Sequence, residues 1–519
     1  MKIKRVKEIG FSLFETFTFA TKIIDMNSIT SFIGTLLLVL FSSLSFGQSC
    51  NCVENFNWMV KTFEENDAGF QYVLDKKGKD YYEDYKKRLT AKLNDTLTPK
   101  TCMKLMGEYT SFFRGGHIQV GWNRSFTEFA EQTVKKATSK LFGKNYSEKE
   151  ILKIIGKKKK SHFLEGIWLF PEWNTKFGVL QNENNPNNFS FYKLAYDVDF
   201  ENIDIIFDVD YDSTQKSYLL NNLYHLIKGD KLTLDTLRNT LSYYRKGIEH
   251  FFVKLPDNTN VTQTLSSTYN FFTNTKPYFE KLTPQTLYLR IPSFRYENKV
   301  IIDSILKQNE ALIKSVPNLI IDIRNGTGGS DDSYGGLIPF IQTNTTYSTG
   351  QQYYATELNS KGYEFYANMI QDSLSKRFCT EIAKKMRDNL GKMIDVDYSE
   401  FFVQDTITKL ELIKSEYPKQ VAIICNKNNG STDEAFLMEA RQSKKVKIFG
   451  CTTGGMLDIS NLNCINSPDG NLNFCYGMTK SYRIPNFCID DVGVQPDIYF
   501  QGLVPEVEWV DEVVKYLEN

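Results

Sequence analysis

The sequence predicts a multidomain α/β protein: a helical N-terminal domain, a small β-rich middle domain and an α/β C-terminal core. Three observations carry this expectation. Apolar residues recur at helical spacing from Cys52 to about Phe113. Short alternating segments separated by Asn- and Pro-containing turns fill the stretch from 163 to about 275. From Thr286 onward, continuous β-branched runs alternate with helical stretches, the pattern of a parallel sheet with crossover helices. A hydrophobic content of 41% is enough to build cores for a chain of 519 residues. With 62 basic and 62 acidic side chains, no charge excess points to a nucleic-acid partner.

Residues 1–47 read as a signal segment. Ile33 to Phe41 is an apolar core too short for a stable membrane span, and Ser45-Phe46-Gly47 is a small-x-small cleavage site that leaves Gln48 first in the mature chain. The basic residues Lys2, Lys4, Arg5, Lys7 and Lys22 lie far upstream, so the start is either Met1 or Met26, the latter without a basic n-region. The expectation is a soluble exported protein, periplasmic or extracellular. Nine cysteines fit an oxidising compartment, and their odd number leaves at least one thiol unpaired within the chain. Spacing does not fix their connectivity. The four histidines are scattered, and the late cysteines (Cys451, Cys464, Cys475, Cys488) match no familiar zinc pattern, so no metal and no cofactor are expected.

The helical domain is placed at 48–134 and carries His117. Phe63, Phe70, Tyr82, Leu89, Met106 and Tyr109 lie on its apolar faces, with lysines and glutamates on the others. A lysine-rich linker or amphipathic helix (135–160) leads to the β-rich unit, either PDZ-like or a small barrel, which ends near 281. The core spans 282–519. Leu287-Tyr288-Leu289-Arg290-Ile291, Asn318 to Ile323, Val421 to Cys425 and Val446 to Gly450 predict strands, the second buried on both faces. Helices are expected over Val300 to Ile313, Leu337 to Ile341 and after Ser431, and a largely helical insertion over about 355–415.

Four segments of this chain carry chemistry. Asn429-Gly430-Ser431-Thr432-Asp433-Glu434 places a hydroxyl at a helix N-terminus, beyond the carboxyl end of a parallel strand, where open α/β sheets form ligand crevices. The structural alternative is an N-cap, with Glu434 completing an S-x-x-E capping box. Asp322-Ile323-Arg324-Asn325-Gly326-Thr327-Gly328-Gly329 is either a tight turn or a nest of N–H groups that holds an anion. It lacks the Gly-Lys-Ser/Thr ending of a P-loop. His117 sits in the glycine turn Arg114-Gly115-Gly116-His117, and Asp490-Asp491 precede Gly493-Val494-Gln495-Pro496-Asp497. Alone, a histidine in a turn is usually structural and acids in turns are usually Asx-turn formers.

Taken in order, the Asp322–Gly329 loop, Gly430-Ser431-x-x-Glu434, Gly450-Cys451-Thr452-Thr453-Gly454 and Gly493-Val494-x-Pro496-Asp497-Ile498 resemble the core of the serine peptidases that include the C-terminal-processing (tail-specific) proteases and the tricorn core protease. The resemblance covers about 282–505 plus the His117 segment. It implies a ClpP/crotonase-like α/β peptidase core. Processing proteases pair the serine with a lysine that closes a Thr-x-Gly-Lys motif. Here Gly455 and Met456 follow Gly454, so the Ser–Lys dyad is excluded on this alignment. The tricorn-like branch uses a histidine from a preceding segment and an acid before the Gly-Val-x-Pro-Asp turn. By this resemblance the catalytic residues are Ser431, His117 and Asp490, with Asp491 as the alternative acid. The oxyanion donors are the amides of Gly328 and Thr432, and Gly329 and Gly454 bind substrate. Gly116 stands where the tricorn type has a serine. No glycine-hydrophobic-glycine carboxylate loop of a PDZ domain is found between 120 and 280.

The expected function is that of an exported serine peptidase acting on peptides or proteins, with no nucleic acid, no membrane span in the mature chain and no fixed oligomeric state. The alternative is a non-catalytic ligand- or peptide-binding protein on the same scaffold. Survival of Ser431, His117 and an acid together separates the two, and all are present.

Overall fold

A computed structural model describes residues 51–122, 146–170, 175–194, 207–222, 228–236, 239–245, 248–255, 271, 274–370, 373–396, 407–410 and 416–519. The leader expected at 1–47 lies outside the described residues, as do residues 135–145 of the lysine-rich linker, whose remainder carries the helix Glu148–Ile155.

The first helix, Cys52–Asn66, buries Phe56, Met59, Val60 and Phe63, an i, i+3, i+4, i+7 stripe. A disulfide joins Cys52 to Cys102 on the helix Pro99–Ser111, which Thr98 caps through its side chain with Pro99 at the first helical position. Two more helices, Phe70–Lys77 and Lys79–Thr90, lie between them. Strand β1 (Gln119–Trp122) follows the His117 turn.

The middle unit is a closed eight-stranded barrel of antiparallel neighbours: β2 (Gly166–Phe170), β3 (Thr175–Asn182), β4 (Asn185–Lys193), β5 (Phe207–Asp212), β6 (Ser217–Asn222), β7 (Lys228–Asp235), β8 (Thr240–Arg245) and β9 (Ile248–Lys254). Alternate residues point inward. Trp168, Phe170, Phe177, Phe189, Phe191, Phe207 and Phe252 fill the lumen, so the barrel encloses a packed core.

The C-terminal half is built on a six-stranded sheet in the order β10 (Tyr278–Lys281), β11 (Thr286–Arg290), β12 (Asn318–Asp322), β17 (Gln420–Cys425), β18 (Val446–Gly450), β21 (Ile498–Tyr499). All neighbours are parallel except β10, which runs antiparallel to β11. Ile321, Ile423 and Ile448 face one layer and Ile320, Ile424 and Phe449 the other, which explains why these strands read as unbroken apolar runs. The register aligns the ends of β12 and β17, with Asp322 opposite Ile424, and brings Cys425 opposite Gly450 on β18.

A second sheet carries β14 (Gln351–Tyr354), β15 (Met393–Ile394), β19 (Ile459–Asn466) and β20 (Leu472–Ser481), with β1 on the far side of β20. The segment that carries His117 is thereby woven into strands from the other end of the chain: Gln119 pairs with Cys475 and Trp122 with Leu472. The first helix packs on the same sheet through Phe63 and Phe474. A second disulfide, Cys464–Cys475, crosslinks β19 to β20.

The insertion differs from the sequence expectation. Helices Glu357–Met369 and Ser373–Asp388 are present, but β15 follows, and β16 (Ile407–Leu410) pairs with β13 (Thr346–Thr349). Lys409 and Thr408 there sit in a short polar strand whose period is set by its partner, a signal absent from the local sequence.

Candidate active site

Strand β17 ends at Cys425, and a turn of Asn426, Asn428 and Asn429 leads to Ser431. Ser431 adopts φ 58° and ψ −124° before the helix Thr432–Ala440 begins. A non-glycine residue held there is strained, and such strain persists only where the surroundings enforce it. The enforcing contacts are explicit. The Ser431 N–H donates to the Met456 carbonyl at 2.9 Å and to Glu434 Oε2 at 3.3 Å. The hydroxyl sits in the capping-box position over the first turn but makes no side-chain cap hydrogen bond.

Glu434 is fully buried, and its work is structural. Its Oε1 accepts from the Thr453 hydroxyl (2.5 Å) and the Gly455 N–H (2.7 Å), and its Oε2 accepts from the Met456 N–H (2.7 Å). One carboxylate thus fastens the 453–456 loop to the helix that Ser431 opens. Burial pushes its pKa up.

The glycine loop after β12 stands on a buried ion network. Arg324 Nη2 and Nε clamp Asp322 Oδ2 (2.7 Å) and Oδ1 (3.0 Å), and Arg324 Nη1 donates to the Glu506 carbonyl at 2.6 Å. Arg290 Nη2 donates to the Arg324 carbonyl at 2.7 Å, and the Tyr288 hydroxyl to Asp322 Oδ2 at 2.9 Å. Asp322 and Arg324 therefore shape the loop and offer nothing to a ligand. Asparagines tie this loop to the serine turn: Asn426 Nδ2 donates to Asn325 Oδ1 (2.8 Å) and Asn429 Nδ2 to the Ile323 carbonyl (2.6 Å).

Gly328, at φ 82°, lies directly against the serine: a Cβ there would stand 2.7 Å from Ser431 Cβ and 3.1 Å from the Thr432 nitrogen. Only glycine allows that approach. Its N–H, expected to stabilise an oxyanion, instead donates to Asp433 Oδ2 at 3.3 Å, which also accepts from Asn429 Nδ2 at 2.9 Å. The Thr432 N–H opens the helix, where amides have no intrahelical acceptor, and it is a ready donor beside Ser431. Gly329 and Gly454, expected to bind substrate, are both packed by backbone. Gly329 bridges Phe294, and the Gly454 N–H donates to the Asn429 carbonyl at 2.7 Å.

His117 reaches this region at φ 52°. Buried Arg114 fixes the turn, donating Nε to the Gly116 carbonyl (3.0 Å) and Nη2 to the His117 carbonyl (3.1 Å). Asp67 anchors Arg114 in turn, at 2.9 Å and 2.6 Å, and ties it to β20 through the Gly477 N–H. Sequence reasoning missed this pair; the only local signal was an arginine beside the glycines. His117 Nδ1 lies 2.5 Å from the Ile459 carbonyl. A carbonyl only accepts, so Nδ1 carries the proton and Nε2 keeps the lone pair. The imidazole pKa is lowered to about 4, chiefly by desolvation; the Ile459 carbonyl and Asp67 oppose the shift and the Arg114 charge adds to it. The imidazole is therefore neutral at pH 7. No hydrogen bond joins it to Ser431 among the described residues.

Asp490, expected to orient the imidazole, makes no hydrogen bond to it among the described residues. Its Oδ1 accepts from the Leu457 and Asp458 N–H groups (2.7 Å each) and its Oδ2 from the Ile459 N–H (3.2 Å). Asp490 thus positions the segment whose carbonyl at Ile459 meets His117. Asp491 acts elsewhere on the same turn, its Oδ1 accepting from the Gly115 N–H at 2.7 Å.

The strained Ser431 and the Thr432 amide follow the carboxyl end of β17, and the Met456 side chain lies against both Gly430, next to Ser431, and Gly116, next to His117. Residues 285–500 match the sequence model of peptidase family S41. This segment is a family S41 peptidase domain. The protein is accordingly a serine-type peptidase with a peptide substrate. No curated protein matches the sequence. Among solved structures, mature CPAF complexed with lactacystin is 12% identical, with 90% of this chain and 97% of that chain covered at a TM-score of 0.47. The photosystem II D1 C-terminal processing protease is 9% identical, with 90% and 97% covered at 0.37. The tricorn protease is 12% identical, with 90% of this chain and 37% of that chain covered at 0.36. No helix among the described residues is long and apolar enough to cross a membrane.

Proposed function

We propose that this S41 peptidase domain is an exported serine peptidase that cleaves peptide bonds through a Ser431 acyl-enzyme, with His117 as general base. The observation that carries the reading is the Nδ1 contact to Ile459, which leaves Nε2 unprotonated in a half-buried, neutral ring. Nε2 takes the Ser431 proton as the hydroxyl attacks the scissile carbonyl, then returns it to the leaving amine. The Thr432 N–H stabilises the tetrahedral oxyanion, and the Gly328 N–H joins it on turning from Asp433. The apolar stretch before Ser45-Phe46-Gly47 supports export.

The test is incubation of the mature chain with an unfolded protein, followed by mass spectrometry of the fragments, with and without a fluorophosphonate. New peptide termini, prevented by stoichiometric labelling of Ser431, are expected. Folded protein that neither labels nor cleaves would return the chain to the binding reading.

A pH profile checks the base. The acid limb of kcat/KM is expected near pH 4, where half-buried His117 protonates, well below the ordinary 6.5. A limb at or above 6.5 would exclude a desolvated imidazole as base. Stability follows the same group: between 6.5 and about 4 the unfolded histidine binds the proton and the folded one does not, so stability falls as pH falls through that window. Asp490, raised to about 6 by burial, and Asp433, raised to about 7, act in the opposite sense, because their ionisation disfavours the folded state as pH rises from the ordinary carboxylate value of 3.8.

A further inference from the structure

Met456 sits in a cradle of three glycines. A Cβ on Gly116 would lie 2.0 Å from Met456 Cγ, one on Gly430 2.5 Å from its Cε, and one on Gly454 2.6 Å from the same Cε. Three glycine backbones close on one thioether, and a side chain at any of them would displace the methionine. Two of them adjoin the reacting groups, since Gly116 precedes His117 and Gly430 precedes Ser431. The Met456 backbone belongs to the same construction: its carbonyl accepts the Ser431 N–H at 2.9 Å and its N–H donates to Glu434 at 2.7 Å. An unbranched, flexible side chain is the kind that fits such a slot. Met456 is half-buried.

We propose that Met456 is a positioning residue that sets the gap between the Ser431 hydroxyl and the His117 imidazole, and that oxidation of its thioether to the sulfoxide shuts the site. The inference rests on the Ser431/His117 reading. The slot leaves the sulfur little room, since Sδ is 2.7 Å from the Cβ position of Gly116. With a peroxide as oxidant, the O–O bond breaks, one oxygen bonds to the sulfur lone pair and water leaves; sulfur loses two electrons and the peroxide gains them. The added oxygen is polar and forces the glycine backbones apart. A displacement of about 1 Å between reacting groups costs about 100-fold in rate.

The test compares wild type, M456A and M456L on one peptide substrate, with thermal melts as a fold control. M456A is expected to lose about 100-fold in kcat with KM changed less than about twofold, and M456L to regain most of that loss. Hydrogen peroxide should inactivate the wild type and abolish its fluorophosphonate labelling, methionine sulfoxide reductases with dithiothreitol should restore both, and M456L should resist. Wild-type kcat in M456A, a loss confined to KM, or peroxide inactivation of M456L at the wild-type rate would each overturn the proposal. If M456A fails to fold, the peroxide comparison of wild type with M456L decides alone. Full activity in H117A would instead remove the underlying Ser/His reading, a separate failure.

Discussion

Ser431→Ala lowers kcat by about a millionfold, to the residual level that binding and oxyanion stabilisation alone provide. Alanine removes the attacking oxygen and little else. The Ser431 hydroxyl makes no side-chain cap hydrogen bond, and the backbone contacts to Met456 and Glu434 do not involve it. The stability change should therefore stay below the roughly 1 kcal/mol that loss of an N-cap side chain typically costs. Steady-state kinetics with a matched melting curve checks both halves. A well-folded S431A enzyme retaining more than about a hundredth of wild-type kcat would place the nucleophile elsewhere, because loss of a triad nucleophile costs about a millionfold.

His117→Ala is expected to cost about 10⁴- to 10⁶-fold in kcat, since a serine hydroxyl without a base is a poor nucleophile. Unlike the serine, this side chain also contributes to the fold. Its removal leaves the Ile459 carbonyl without its 2.5 Å partner in a buried setting, which costs about 1–3 kcal/mol. The melting temperature should fall and the acid limb near pH 4 should vanish from the residual activity. Added imidazole, filling the vacated space, should recover part of the rate. A mutant with a lowered melting temperature and undiminished kcat would make His117 a structural residue only.

The parallel sheet was legible because β12 and β17 are buried on both faces, and burial on both faces writes an unbroken apolar run into the chain. Ser431 was legible because a strand end, a polar turn and a helix start are all local. The roles of its neighbours were not. Glu434 reads as half of a capping box, yet three of its four hydrogen bonds reach residues 453–456, across the crevice. Asp490 reads as a catalytic acid by its place before Gly493, yet its oxygens hold amides 31 to 33 positions earlier. Asp322 and Arg324 read as part of an anion nest, and the structure buries both as each other's partners. A carboxylate accepts from whatever donors lie within about 3 Å, and sequence carries no record of which those are.

What the sequence determined by itself is the inventory and its order: a hydroxyl at a helix end, a glycine loop after a buried strand, a histidine in a glycine turn, and a methionine where a lysine would have defined another chemistry. Those features are set by neighbours a few residues away, through backbone conformation and side-chain period. The tertiary structure alone decided which partner each polar group meets. Asp67 and Arg114, paired across 47 positions, and the pairing of β1 with β20, across 350 or more, fix the turn that brings His117 to the Ile459 carbonyl. Buried charges must find partners wherever the packed chain supplies them, so the donor of Ile459 and the acceptor of Gly328 were settled by packing.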